Sequence, residues 1–286
     1  MDFLISYKNY FDKKLSYFIE NINFNKDIKD SLSYSLKNGG KRLRPWIISE
    51  ISNILKIDDF DSVEKLCFSV EILHTTSLIH DDMPEIDNAT LRRGKKANHL
   101  VFGDYLSLLS GDYGFVLPLK IVSDLKIIDL SIKNQIFSLF SKSTLTLIEG
   151  ETEDVLFEKL GKTPSKEEII NMYRKKTGEL FGLSFALPFI LSSKKHVDQY
   201  FEAGVDFGIA FQIYDDLKDI HSTKEELGKD INADKNKSTI IKLLGREKSK
   251  IYADSLFEKI GNLFIENNLK SFYEKLSNIK SYIEKK

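Results

Sequence analysis

Two aspartate-rich segments, near residues 80 and 215, are the parts of this sequence best suited to chemistry. The first reads His80-Asp81-Asp82-Met83-Pro84-Glu85-Ile86-Asp87. On a straight helix, positions six apart point about 120° away from each other, so Asp81 and Asp87 could not share a ligand. Pro84 breaks the helical ladder and lets the intervening residues bulge outward. We therefore predict that the two carboxylates converge on one cation, and Mg²⁺ is favoured because it prefers hard oxygen ligands.

The second segment reads Phe211-Gln212-Ile213-Tyr214-Asp215-Asp216-Leu217-Lys218-Asp219. Asp215 and Asp219 are four positions apart, about 40° round a helix, so both carboxylates face one direction. Like charges at this spacing destabilise a helix unless a cation or another partner compensates them. A solvated acidic face is the alternative for either segment alone. Because both segments end strongly apolar helical sequence, a pair of metal-binding segments is the better interpretation.

Basic residues accompany both aspartate segments. The string Gly39-Gly40-Lys41-Arg42-Leu43-Arg44-Pro45 places three cations and flexible glycines just before a predicted helix start. Such an arrangement suits a diphosphate, through charge-assisted bonds and helix N-terminal amides. Further donors follow the first segment, lie near mid-chain and follow the second segment: Arg92, Arg93, Lys176, Thr177 and Lys229. Each basic group alone is more typical of a surface, but together with two carboxylate segments they predict bound diphosphate.

The elements that must position these residues are helices. Leu, Ile, Phe, Lys, Glu and Ser dominate and recur at helical spacing, without the alternation typical of strands. Three long helices are predicted over residues 61–80, 166–191 (opened by a capping box of Ser165 and Glu168) and 195–220. Shorter ones are predicted over residues 2–22, 27–37, 45–55, 98–109, 112–122 and 129–150, with a helical tail over 249–286. Residues 221–238 are polar and are predicted to form a loop near the site.

Composition and charge limit the class of protein. With 286 residues, 42% of them apolar and 30% charged, the chain can build a sizeable core. Its 42 Lys and Arg against 43 Asp and Glu argue against a nucleic-acid-binding protein. Cys67 is the only cysteine, and no run reaches the roughly 18 apolar residues of a membrane span. We expect a cytoplasmic protein in which residues 1–286 form a single all-α domain, its helices surrounding a central cavity.

Taken together, these strings resemble the trans-isoprenyl diphosphate synthase (polyprenyl synthetase) family, and look closest to its bacterial farnesyl and geranylgeranyl diphosphate synthases. The resemblance covers nearly the whole chain. It rests on residues 39–45, on Leu78-Ile79-His80-Asp81-Asp82 with Asp87 and Leu91-Arg92-Arg93-Gly94, and on the Phe-Gln-x-x-Asp-Asp-x-x-Asp string at 211–219. The resemblance implies an isoprenoid synthase-type helical bundle, a homodimer, and Mg²⁺-dependent head-to-tail condensation of an allylic diphosphate with isopentenyl diphosphate.

The resemblance also implies a role for each matched residue. Asp81 and Asp87 would bind two Mg²⁺ with Asp82 in support, and Asp215 would bind a third, backed by Asp216 and Asp219. The residues that match groups holding the allylic diphosphate or the departing pyrophosphate are Arg92, Lys176, Thr177, Gln212 and Lys229. Those that match the isopentenyl diphosphate site are Lys41, Arg44, His74 and Arg93. For His74, a hydrogen-bonded histidine within the helix packing stays open as an alternative.

Two stretches depart from the family pattern. Lys95-Lys96-Ala97-Asn98 stands where Lys-Pro-Thr is usual, and Glu151 stands where glutamine is common, three residues before Asp154. Neither change falls on a metal or diphosphate position implied by the resemblance.

The resemblance favours farnesyl diphosphate as product, with geranylgeranyl diphosphate as the alternative. Thr76, five residues before Asp81, stands where many bacterial farnesyl synthases carry a tyrosine. The smaller threonine would open the floor of the chain-binding cavity, whereas Phe68 or Phe115 could refill it. A terpene cyclase shares the fold but usually carries an Asn/Ser/Glu second metal motif. A non-catalytic subunit of a heteromeric prenyl synthase is a further alternative, although such subunits typically lose aspartates or arginines that are present here.

Overall fold

The computed structural model describes residues 2–159, 161, 163–219 and 238–285, most of which are helical. The helices are α1 (Asp2–Asn21), α2 (Lys26–Lys37), α3 (Leu43–Ile54), α4 (Phe60–Asp81), α5 (His99–Phe102), α6 (Asp104–Ser123), α7 (Leu130–Lys159), α8 (Lys166–Tyr173), α9 (Glu179–Leu191), α10 (Val197–Asp219), α11 (Ile240–Leu244), α12 (Arg246–Glu266) and α13 (Lys270–Lys285). Between α8 and α9 the chain forms a π-helical turn, Arg174–Gly178. Two-residue strands β1 (Leu91–Arg92) and β2 (Lys95–Lys96) pair antiparallel, with Leu91 opposite Lys96. The predicted all-α class is confirmed.

Some predicted helix limits are wrong. The predicted division between residues 109 and 112 does not occur, since α6 continues through Gly111, where a Cβ would overlap the His80 ring. The break falls instead at Gly103, whose φ of 82° ends α5. Helix α7 continues past the predicted end at 150, since Asp154 and Phe157 extend its buried face at helical spacing. The N-cap of α4 is Asp59, which accepts from the Ser62 amide at 3.1 Å, so the helix begins at Phe60, one residue before the predicted start.

Helix α9 is the centre of the fold. Every residue from Glu179 to Ile190 is buried, as expected for a helix that is apolar all round. Its phenylalanines, with Phe181 and Phe185 among them, enter a core shared with α3, α10, α12 and α13. Its leucines, with Leu180 and Leu183 among them, enter a second core formed with α1, α2, α4, α6 and α7. The helix thus fixes both halves of the bundle relative to one another.

Glycines let three pairs of elements approach closely around the site. Between the π-helical turn and α10, a Cβ on Gly208 would lie 2.6 Å from the Gly178 Cα atom. A Cβ on Gly150 of α7 would overlap the backbone nitrogen of Lys176 in the π-helical turn. A Cβ on Gly114 of α6 would overlap the Thr76 hydroxyl of α4. Any larger residue would force these backbones apart, so the spacing of the site-bearing helices depends on them.

The loop predicted over residues 221–238 lies outside the described residues except for Ser238, and Lys229 lies outside them with it. Within the described residues, no helix has both the length and the apolar character needed to cross a membrane.

Candidate active site

The first aspartate segment folds back over the end of α4. The Asp87 amide donates to the Asp81 carbonyl at 3.0 Å, and the Asn88 amide donates to the Met83 carbonyl at 2.9 Å. Asp81 is only 8% exposed. Burial raises the pKa of Asp81 well above its ordinary value, and the nearby carboxylates of Glu151 and Asp87 add to the rise. The bulge at Pro84 therefore returns the Asp87 charge to the neighbourhood of Asp81.

Asp82 binds Arg92. The Arg92 Nε atom donates to Asp82 Oδ1 at 2.8 Å, and a second guanidinium nitrogen donates to the same oxygen. Burial raises the pKa of Asp82 while Arg92 opposes that rise. For Arg92 itself, burial is outweighed by the carboxylates of Asp82, Asp81 and Asp87, so its pKa is raised. Asp82 thus orients the guanidinium group of Arg92, which follows the first aspartate segment.

Lys176 lies between two carboxylates of α7 at the π-helical turn. Its Nζ atom lies 2.7 Å from Glu151 Oε2 and 2.6 Å from Asp154 Oδ2. Burial alone would lower the pKa of Lys176, but Asp154, Glu151 and Asp81 raise it well above its ordinary value. The other Glu151 oxygen, Oε1, is buried without a hydrogen-bond partner among the described residues. Lys176 therefore stays charged beside the first aspartate segment.

The second aspartate segment is joined to the π-helical turn by hydrogen bonds. Thr177 Oγ1 donates to Gln212 Oε1 at 2.9 Å, and Gln212 Nε2 donates to Asp216 Oδ1 at 2.8 Å. The remaining Asp216 oxygen, Oδ2, accepts from the Tyr173 hydroxyl. Asp215 is half-buried on the same helix, and the Asp219 backbone ends α10. The structure therefore brings together Thr177, Gln212 and Asp216.

The cations of residues 39–45 divide into two roles. Arg42 is fully occupied by the fold, since it donates to Asp12 at 2.7 Å, to Glu71 at 2.6 Å and to the Leu36 carbonyl. The Arg44 guanidinium instead lies 4.2 Å from the centre of the Phe181 ring. Its buried Nε atom has no hydrogen-bond partner within the described part of the chain. Burial lowers the pKa of Arg44 to about 10, because a buried charge lacks the solvation that water provides.

Lys41 and Arg93 lie near Arg44 and form a cluster of cations with it. Lys41 Nζ lies 5.2 Å from the centre of the Phe211 ring, which places the segment beside α10. Arg93 donates to the Gly39 carbonyl, and a Cβ on Gly40 would lie 2.8 Å from the Arg93 guanidinium carbon. Gly40 also has a φ of 117°, which disfavours any other residue. The two glycines thus bring Arg93 against the segment that carries Lys41 and Arg44.

His74 faces the arginines. Burial, followed by the guanidinium groups of Arg44 and Arg93, lowers the pKa of His74 well below its ordinary value. A neutral imidazole can still donate one hydrogen bond without adding another charge to the cluster. The role of His74 in binding isopentenyl diphosphate stays a prediction, beside the alternative of a histidine engaged only in helix packing.

The donor set fits a magnesium ion. Asp81 and Asp87 offer hard carboxylate oxygens, and the mutual repulsion around buried Asp81 would be relieved by a cation. The described residues contain no group of three His, Cys, Asp or Glu side chains that could hold a metal ion by itself. Mg²⁺ commonly binds through one or two carboxylates and takes its other ligands from water and substrate phosphates, so a closed protein cage is not required.

Comparison with known proteins agrees with this geometry. The sequence matches the family described as "Polyprenyl synthetase" over residues 25–276. The chain belongs to the polyprenyl synthetase family. The family predicted from the motifs is thereby confirmed, and the chain is a head-to-tail trans-prenyltransferase.

Relatives in this family carry two product names. The farnesyl diphosphate synthase of Bacillus subtilis is 32% identical over 93% of this chain and 93% of its own length. The geranylgeranyl diphosphate synthase of Cyanophora paradoxa is 36% identical over 81% of this chain and 79% of its own length. Product length therefore varies among relatives of this similarity.

Solved structures of the family share the fold. A geranyltranstransferase from Thermotoga maritima covers 98% of both chains with a TM-score of 0.85 and 32% identity. A geranyltransferase from Helicobacter pylori, solved with magnesium and isoprenyl diphosphate, covers 99% of this chain and 98% of its own, with a TM-score of 0.82 and 25% identity.

Sequence reasoning missed three features of the site. The pairing of Lys176 with Glu151 and Asp154 joins residues over 20 positions apart, although Asp154 stands in a recognisable family pattern. Tyr173, which binds Asp216, carries no local signal beyond its place before the Lys176-Thr177 pair. The π-helical turn was read as ordinary helix. Such turns are frequent at functional sites.

Proposed function

We propose that this chain is a Mg²⁺-dependent synthase of the farnesyl diphosphate type, which condenses isopentenyl diphosphate with dimethylallyl or geranyl diphosphate. The observation that carries the proposal is a pair of cationic clusters meeting at consecutive residues. Arg92 faces the first aspartate segment, whereas Arg93 faces the segment of Lys41 and Arg44. Two anions can thus be bound side by side, as a condensation of two diphosphates requires.

The allylic diphosphate is assigned to the cluster beside the aspartates. In this proposal Arg92, Lys176, Thr177 and Gln212 hold the diphosphate, and Lys229 joins them. Asp81, Asp87 and Asp215 would hold three magnesium ions, with Asp82, Asp216 and Asp219 in support. When bound, Mg²⁺ supplies positive charge to the leaving pyrophosphate. Lys176 and Arg92, both with raised pKa values, keep their charges and stabilise the pyrophosphate as its negative charge grows.

Isopentenyl diphosphate is assigned to the other cluster. Arg44 and Arg93 would bind its diphosphate together with Lys41, while neutral His74 donates a hydrogen bond. The Arg44 side chain stacks on Phe181 of α9, the most apolar helix of the bundle. The apolar wall excludes water from the allylic cation. The double bond then attacks the cation, and the proton released passes to the pyrophosphate held by Arg92 and Lys176.

Farnesyl diphosphate is the product we favour, and geranylgeranyl diphosphate is the second candidate. Thr76 is fully buried and packs against Gly114 of α6. Its small size favours the longer product. Phe115 lies beside the His80 ring at 5.3 Å and narrows the same region from α6. The similarity to a farnesyl diphosphate synthase over 93% of the chain supports the shorter product in this proposal.

A homodimer is proposed from an exposed apolar stripe on α6 and α7. The stripe consists of Tyr105, Leu108, Leu109 and Val116 on α6, with Phe137, Leu145, Ile148 and Leu156 on α7. The spacing places each set on one helix face, and Tyr105, Val116 and Leu145 are each more than 60% exposed. A second copy would cover the stripe with the same surface, as a two-fold interface requires.

We place this single-domain enzyme in the cytoplasm, in keeping with its one buried cysteine, Cys67.

The deciding experiment incubates the purified protein with Mg²⁺ and labelled isopentenyl diphosphate. Each allylic primer is tested in a separate reaction. After phosphatase treatment, a C15 prenol supports the farnesyl proposal and a C20 prenol supports the second candidate. A hydrocarbon would instead identify a cyclase. Absence of product with every primer would favour a non-catalytic subunit and overturn the proposal.

A further inference from the structure

Tyr173 lies at a junction of three elements around the second aspartate segment. It is the last residue of α8, immediately before the π-helical turn, and only 3% of it is exposed. Its hydroxyl donates to Asp216 Oδ2 of α10. The same hydroxyl oxygen accepts from the Ile240 amide, the first residue of α11, at 3.2 Å. One buried group thus joins α8, α10 and α11.

The hydroxyl also completes a continuous chain of hydrogen bonds. Asp216 receives Tyr173 on one carboxylate oxygen and Gln212 on the other, the latter at 2.8 Å. Gln212 in turn accepts from Thr177 at 2.9 Å. Because both Asp216 oxygens are engaged, its carboxylate has one orientation, and the Gln212 amide is oriented with it. Thr177 and Gln212 are the groups assigned to the allylic diphosphate. Their geometry therefore depends on the Tyr173 hydroxyl, at the other end of this series of hydrogen bonds.

We propose that Tyr173 is a positioning residue for the reaction, acting through Asp216 to orient Gln212 and Thr177 toward the departing pyrophosphate. The inference rests on the proposed function, because it takes the pyrophosphate subsite as given. Tyr173 does not touch the substrate in this scheme. Without the Tyr173 hydroxyl the Asp216 carboxylate can rotate, so the Gln212 amide loses its fixed direction, and Thr177, which donates to Gln212, loses a fixed partner.

A second buried tyrosine, Tyr214 of α10, supplies a matched control. Tyr214 is 4% exposed, and its hydroxyl donates to Asp254 Oδ1 at 2.7 Å. It therefore also makes a buried tyrosine–aspartate bond, but toward α12 and the C-terminal helices rather than toward the π-helical turn. Tyr214→Phe removes an equivalent buried hydroxyl that is bonded to a different aspartate, so it measures the purely structural cost.

The test compares Tyr173→Phe, Tyr214→Phe and wild type as full-length proteins. Binding of inorganic pyrophosphate with Mg²⁺ is measured by calorimetry, beside kcat, both Michaelis constants and thermal stability. For Tyr173→Phe we expect pyrophosphate binding and kcat to fall about 10- to 100-fold, the size of a hydrogen bond to a charged group. The Michaelis constant for isopentenyl diphosphate should change less than about threefold. Tyr214→Phe should lose comparable thermal stability and keep pyrophosphate binding.

A double-mutant cycle separates this mechanism from general loosening. If Tyr173 acts through Asp216, Tyr173→Phe in an Asp216→Asn background should cost far less than it does alone. Equal losses in Tyr173→Phe and Tyr214→Phe, or additive effects in the cycle, would overturn the positioning role while leaving the prenyltransferase proposal intact. A wild-type chain that forms no prenyl product would instead overturn the proposed function, and with it this inference.

Discussion

The Asp87 amide donates a hydrogen bond to the Asp81 carbonyl at 3.0 Å, so the chain after α4 closes a loop over the helix end. A straight helix would point the two side chains apart. The closure instead adds the Asp87 charge to that of Glu151 around buried Asp81. Without a cation this arrangement opposes ionisation of Asp81, and it is therefore built for a ligand rather than for stability.

Asp81→Asn should lower turnover roughly 100-fold or more, because it removes a proposed magnesium ligand. Its melting temperature without metal should equal or exceed that of wild type at pH 7, since the repulsion is relieved. Exposed Asp124, which pairs with Lys120 on α6, supplies the control: Asp124→Asn should alter neither quantity. Steady-state kinetics and thermal melts check both effects. Wild-type turnover in Asp81→Asn would contradict the metal assignment.

The two arginines of one motif should fail in different ways. Arg42→Ala leaves Glu71 buried and unpaired, which should cost about 3–5 kcal/mol of unfolding free energy. Arg44→Ala should keep or raise stability, because the buried Arg44 Nε atom has no hydrogen-bond partner in the described part of the chain. It should mainly raise the Michaelis constant for isopentenyl diphosphate. Lys176→Ala should instead impair the allylic half-reaction. If Arg44→Ala weakened only the allylic substrate, the two diphosphate assignments would be reversed.

The contribution of His74 to stability should fall on mild acidification. Its pKa is lowered in the folded chain, so below the ordinary value near 6.5 the unfolded chain binds a proton that the folded chain does not. This contribution therefore falls by up to ~1.4 kcal/mol per pH unit between about pH 7 and 5, whereas protonation of Asp81, whose pKa is raised, acts in the opposite direction. His74→Gln should flatten this part of the melting-temperature profile. Exposed His196 provides the control, and His196→Gln should leave the slope unchanged. If His74→Gln kept the wild-type slope of melting temperature against pH, the assignment of this pH dependence to His74 would be wrong.

Product length should respond to the side chain at position 76. Thr76→Tyr should shorten the prenols recovered after phosphatase treatment, and Thr76→Ala should leave them unchanged or lengthen them. Thr76→Val keeps the volume and removes a buried hydroxyl that has no hydrogen-bond partner among the described residues. It should therefore preserve the products and slightly raise stability. An active Thr76→Tyr enzyme with unaltered products would place the cavity floor elsewhere.

A charge on the apolar stripe should dissociate the proposed homodimer. Val116→Asp would place a carboxylate in the contact between the copies, where it would be desolvated without a partner. Sedimentation should then report a monomer at concentrations where wild type is dimeric. Ile128 is 98% exposed and lies outside the stripe, so Ile128→Asp should leave the dimer intact. A monomeric wild type would refute the dimer itself.

The sequence by itself determined the helices, the family and the residue types of the site. Apolar residues at helical spacing depend only on local geometry, as does the interruption of a helix by Pro84. The motif around Asp81 and that around Asp215 are also short strings, so their chemistry could be stated before any fold was known. The return of the chain after Pro84 follows from the same local rule.

Only the tertiary structure decided which partner each charged side chain takes. Lys176 meets Glu151 because Gly150 lets α7 approach the π-helical turn, and nothing within either segment specifies that crossing. Arg42 and Arg44 are two residues apart in one motif, yet Arg42 is occupied by the fold whereas the buried Nε atom of Arg44 has no hydrogen-bond partner among the described residues. Local sequence sets periodicity and breaks, whereas the pairing of distant charges depends on how closely helices pack, which is decided by the packing of the whole core.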